Sequence, residues 1–107
     1  MARPIGDHQA RIQKILDTAE PMFYNQGYRQ TTIQDIVKEL GVATGTVYYY
    51  FRSKEAILEA LIQRRMNYFL EQVLLTIGDP NIRNSEKLER TLQLIFIHMR
   101  NRYGTLL

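Results

Sequence analysis

Residues 31–55 read TTIQDIVKELGVATGTVYYYFRSKE, and the fold turns on how this stretch is arranged. Thr31 and Thr32 are good helix caps, because a hydroxyl oxygen can accept from the free amides of a first turn, and Asp35 adds negative charge where the helix dipole favours it. Ile33, Ile36, Val37 and Leu40 follow at helical spacing. They predict a helix over about 32–40, closed by Gly41. A second short helix fits residues 43–50, with Val47 and Phe51 one turn apart. The run Val47-Tyr48-Tyr49-Tyr50-Phe51 has strand-like composition, but it is short and lies between two helical patterns, so it is read as helix. Helix, tight glycine turn and second helix make a helix-turn-helix. Gly41 can take the positive φ that a sharp reversal needs, and Val42 is expected to pack back between the helices, with Val47 and Phe51 in the core. The second helix then stands proud of the domain, sized for a groove about 12 Å wide.

Upstream, Ile12, Ile15, Leu16, Ala19, Met22 and Phe23 form one helical stripe, which predicts a helix over about 8–26 ended by Gly27. Pro21 interrupts it by removing a backbone donor, and a kink or bend is expected there. Downstream, Ser53 is a natural N-cap, and an apolar stripe from Ile57 to Ile77 predicts a long fourth helix. Gly78-Asp79-Pro80-Asn81 is a stop and turn. Ser85 is expected to cap a fifth helix that carries Leu88, Leu92, Ile95, Phe96 and Met99 on one side. Leu94 and Ile97 widen that face, and Gly104 is expected to end the helix. The fold class expected is all-α: a three-helix bundle containing the helix-turn-helix, a long linking helix, and the start of a helical regulatory domain. The expected division is a helix-turn-helix domain over 1–52, with helix 4 packing onto it from about residue 54, and helices 4 and 5 over 53–107 as an incomplete effector-binding and dimerisation domain.

Composition narrows the chemistry. The chain of 107 residues, 45% of them apolar, suits one modest core. It has no cysteine, which excludes disulfides, thiolate metal sites and cysteine nucleophiles. A net charge of +3 permits a polyanionic partner without requiring one. No run approaches the roughly 18 consecutive apolar residues of a membrane span, and Met1–Gly6 does not open a signal peptide. A cytoplasmic location without membrane association is expected. His8 and His98 lack a second ligand at metal spacing, and the carboxylates are scattered at helical surface spacing. Nothing assembles a nucleophile, a base and an orienting group, so no catalytic residue, metal or cofactor is expected.

The run from Gly27 to Val37 (GYRQTTIQDIV), followed by that from Gly41 to Glu55, resembles the DNA-binding signature of the tetracycline-repressor (TetR) family, over residues 8 to about 62. The resemblance implies a sequence-specific transcriptional regulator. It would act as a repressor, binding a palindromic operator in double-stranded DNA as a homodimer and released by a small-molecule effector. Family members are typically about twice this long, so a fragment or truncated product is expected.

Side-chain chemistry and the resemblance together name nine candidate contacts: Thr32, Gln34, Thr44, Gly45, Thr46, Tyr48, Tyr49, Tyr50 and Lys54. Thr44, Gly45 and Thr46 open the recognition helix, where hydroxyls and backbone amides can meet phosphate or base edges. Gly45 would let DNA approach the backbone closely. Tyr48 and Tyr49 offer phenols to phosphate and rings to sugar or thymine methyl, and the resemblance makes Tyr48 the phosphate contact. It also places Tyr50 near the groove, and Thr32 and Gln34 against the adjacent strand. Gln34 is the one long amide here able to read a base. Lys54 should reach the flanking backbone as a point charge, and Arg3, Arg11 and Lys14 could support it. Against this stand ordinary structural roles. Thr32 is a cap in any case, and three consecutive aromatics could be packing residues. At about 100° per residue, however, not all three tyrosines can be buried together. The alternative function is a truncated helical interaction module that pairs with a full-length homologue, motivated by Leu94 and Ile97.

Overall fold

The computed structural model describes the backbone of residues 5–106 and the side chains of residues 7–100; Arg3 lies outside the described residues. Among the described residues all regular structure is helical. The helices are α1 (Ile5–Asn25), α2 (Ile33–Leu40), α3 (Thr44–Tyr50), α4 (Lys54–Gly78) and α5 (Asn84–Leu106). The chain divides into two compact units, Met1–Leu61 and Ile62–Leu107.

The first unit is built on one apolar core. Ile15, Leu16, Ala19 and Phe23 of α1 meet Ile33, Ile36 and Val37 of α2, Val47 of α3, Phe51, and Ile57 and Leu61 of α4, all buried. Each is a position that the helical spacing assigns to an inner face. A capping box starts α2. Thr32 Oγ1 accepts from the Asp35 amide at 3.1 Å, and Asp35 Oδ2 accepts from the Thr32 amide at 3.0 Å, satisfying two donors that a helix start leaves open. Thr31 has a different role. It is completely buried, and its hydroxyl lies 2.8 Å from Gly27 O and 3.2 Å from Met22 O. It therefore ties the start of α2 to the end of α1.

The corner between α2 and α3 is formed at Gly41. Its φ of 71° is left-handed, and its amide donates to Val37 O at 3.0 Å and Lys38 O at 3.2 Å, ending α2 as a left-handed glycine cap does. Val42 does not pack back between the helices. It is 40% exposed, because the chain leaving the left-handed glycine turns it outward, and the enclosed positions at this corner go to Ile36 and Val47. Phe51 closes α3, its amide donating to Val47 O at 2.9 Å. Ser53 caps α4 as its sequence position implies, its Oγ accepting from the Ala56 amide at 3.1 Å.

Pro21 is exposed, and α1 runs through it to Asn25. In the second unit α5 begins at Asn84, one residue before the expected cap, with the Lys87 amide donating to Arg83 O at 2.9 Å. It does not stop at Gly104 but continues to Leu106. A glycine permits a helix end without imposing one. Phe69 of α4 stacks on His98 of α5 with ring centroids 4.6 Å apart. Leu74, Leu75, Leu88, Leu92, Phe96 and Ile97 are exposed.

Candidate nucleic-acid interface

Val47, completely buried, anchors α3 to the core, and that one contact orients the rest of the helix. Neighbours of an inward residue on a short helix must point elsewhere. Tyr48 is 44% and Tyr49 76% exposed. Tyr50 is half-buried, its ring 5.1 Å from His8 of α1 and 5.0 Å from Tyr49, the latter edge-on. The three rings are not buried together, as about 100° per residue requires: Tyr48 and Tyr49 stand outward, and Tyr50, expected near the groove, leans on His8 of α1.

The start of α3 lies beside the start of α2. Thr44 Oγ1 is 3.5 Å from Gln34 Oε1, so the threonine hydroxyl is aimed at the amide oxygen across the corner. Gln34 and Gly45 are exposed, and Thr44 and Thr46 half-buried. Ala43 at the N-cap supplies no side-chain acceptor to this first turn. Thr32 is exposed, and its oxygen is already accepting in the capping box. Its hydroxyl proton is still available to a second partner.

Gly45 has no internal reason to be glycine. A Cβ built there meets no atom within 4 Å, and its φ is not positive. Gly41 is different, because its φ of 71° is left-handed and strains a residue that carries a Cβ.

Lys54, half-buried, lies across the turn that joins α1 to α2. Its Nζ donates to Tyr28 O at 2.7 Å and sits 4.2 Å from the centre of the Tyr28 ring. That ring packs edge-on against Phe23 of the core at 5.1 Å. The Tyr28 phenol is pushed above its usual range, by burial first and then by the neighbouring Glu55 carboxylate. Sequence reasoning did not single out Tyr28, nor the closeness of His8 to Tyr50. Both follow from tertiary packing between segments that carry no mutual signal in the chain. Arg11 pairs with Asp7 at 3.7 Å on the exposed side of α1. No cluster of metal-ligating side chains occurs among the described residues, and no described helix is long and apolar enough to cross a membrane.

Residues 15–61, most of the first unit, match the model of the family described as "Bacterial regulatory proteins, tetR family". This segment is a TetR-family DNA-binding domain. It is 38% identical over 63 residues to the "Fatty acid metabolism regulator protein" of Bacillus subtilis, covering 59% of this chain and 32% of that one. It is 32% identical over 97 residues to the "HTH-type transcriptional repressor KstR2" of Mycobacterium tuberculosis, covering 91% of this chain and 46% of that one. Among solved structures, a transcriptional regulator of the TetR/AcrR family from Thermobifida fusca superposes with a TM-score of 0.78 at 26% identity, over 86% of this chain and 50% of the other. The chain spans half or less of the length of these relatives.

Proposed function

We propose that this TetR-family chain binds double-stranded DNA through the face that carries Gln34, Thr44, Gly45, Thr46, Tyr48 and Tyr49. On this reading α3 lies in the major groove, with Thr32, Tyr50 and Lys54 toward the flanking phosphates. The observation that carries the reading is Gly45. It is a helical glycine that neither packing nor backbone conformation requires, set among half-buried hydroxyls and exposed amide and phenol groups. Glycine costs a helix about 1 kcal/mol relative to alanine, and close approach of a nucleic-acid backbone offsets that cost. In the assembled regulator the action is repression at a palindromic operator by a homodimer, relieved by a small-molecule effector. Two recognition helices about 34 Å apart meet successive half-sites.

The test is titration of the chain with a mixed-sequence duplex at increasing salt. Binding should weaken steeply, the logarithm of the association constant falling by about 0.9 per phosphate neutralised for each tenfold rise in salt. Tyr48→Ala should weaken every duplex alike. Absence of binding to any duplex at low salt overturns the reading. A second reading, an interaction module that pairs with a longer homologue, is favoured by the exposed Leu92, Phe96 and Ile97 of α5. Co-sedimentation with a full-length relative would support it, and unaltered sedimentation of both proteins would dismiss it.

A further inference from the structure

The contact between Lys54 and Tyr28 has two parts that act on the same ammonium. The Tyr28 carbonyl takes one of its protons at 2.7 Å, and the ring face lies 4.2 Å from the nitrogen. Lysine is ordinarily a mobile point charge on a flexible stem. Here the charge is fixed at both the carbonyl and the ring, and the ring itself is fixed, edge-on against core Phe23 at 5.1 Å. An ammonium has three donors, so two remain after the carbonyl is served. The same carbonyl also accepts from the Thr31 amide at 3.3 Å, one residue before the cap of α2. The held charge therefore sits against the turn that leads directly into Thr32 and Gln34.

We propose that Tyr28 is a positioning residue for phosphate recognition: its ring and carbonyl hold Lys54 in place, with donors to spare for a phosphate beside the start of α2. The proposal rests on the DNA-binding reading above and adds to it a residue that makes no DNA contact itself. Much of the cost of ordering a lysine on binding is met in the free protein. An aromatic face at position 28 is therefore worth affinity only while Lys54 is present.

The experiment replaces Tyr28 with phenylalanine and then with progressively fluorinated phenylalanines, in the full chain with Lys54 intact and with Lys54→Met. Fluorination drains the negative face of the ring while keeping its shape, so the core contact with Phe23 survives. Binding of a mixed-sequence duplex is measured across a salt series. Tyr28→Phe should match the parent. Fluorination should weaken binding at low salt by roughly two- to fivefold in all, with the loss shrinking as salt rises. In the Lys54→Met background the ring series should be flat, and that substitution alone should lower the salt slope by about 1. A fluorination effect of equal size without Lys54, or no effect with it, overturns the proposal while leaving DNA binding intact. Failure of the parent chain to bind any duplex removes the DNA-binding reading and this proposal together.

Discussion

Gly45 is the residue at which stability and function should part. Because a Cβ there meets open space, Gly45→Ala should stabilise the chain by roughly 0.5–1 kcal/mol, read from a denaturant midpoint. The same methyl should weaken duplex binding; unchanged affinity would show that the DNA backbone does not approach this position. Gln34 and Thr44 make a different prediction. With the threonine hydroxyl aimed at Gln34 Oε1 at 3.5 Å, that oxygen is partly engaged and the NH₂ donors are what the amide has left to offer acceptors such as guanine O6 and N7. Thr44→Val releases the oxygen for the paired contact that glutamine makes with adenine. Selection from random duplexes should therefore move toward adenine at that position, and an identical preference in parent and variant would refute the pairing. The Tyr28 phenol adds a pH dependence. Its folded pKa is raised, so its stabilising contribution is complete below the unfolded value near 10 and is lost as pH climbs through the folded one. Tyr28→Phe should accordingly lose less stability than the parent above about pH 10. The outward direction of Tyr48 and Tyr49 was legible because an inward Val47 sets the angular position of its neighbours on α3. Tyr28 was not, since its partner lies 26 positions along the chain.

At the scale of the element, sequence and structure agree at the two ends of α2 and at the start of α4, whereas α5 begins at Asn84, one residue before the cap expected at Ser85. Thr32 and Ser53 cap as their hydroxyls imply, and Gly41 closes α2 in a conformation that only glycine adopts without strain. Agreement fails where the cause is permissive. Gly104 allows an end and the helix passes through it; Val42 is apolar, but the direction of the chain after Gly41 decides where it points. The contrast between the two glycines of the motif makes this testable. Gly41→Ala places a Cβ in equally open space but at φ 71°, which costs about 1–2 kcal/mol. It should lower the denaturant midpoint, where the same substitution at residue 45 raises it. Thr32→Ala should cost about 1 kcal/mol through the lost cap, with Thr32→Ser close to the parent.

Across the whole molecule, the apolar positions were legible from periodicity, but how much each helix would bury was not, because burial depends on what a helix finds to pack against. Every apolar side chain buried among the described residues lies at or before Leu61, while the second unit leaves Leu74, Leu88, Leu92 and Phe96 exposed. All five elements are α-helices, and packing supplies most helical stability in proteins, so the difference in burial should set their difference in stability. Local opening should therefore be much easier in α5 than in α2. In native-state hydrogen exchange, the amides of the inner turns of α1 and of α2 should open only with global unfolding, and those of α5 by a lower-energy local route. A gap of about 3 kcal/mol would appear as roughly a hundredfold difference in protection. Adding a binding partner that covers the exposed face of α5 should slow exchange there and leave the first unit nearly unchanged. Equal protection in α2 and α5 at low protein concentration would mean that the second unit is stabilised by something other than buried apolar area.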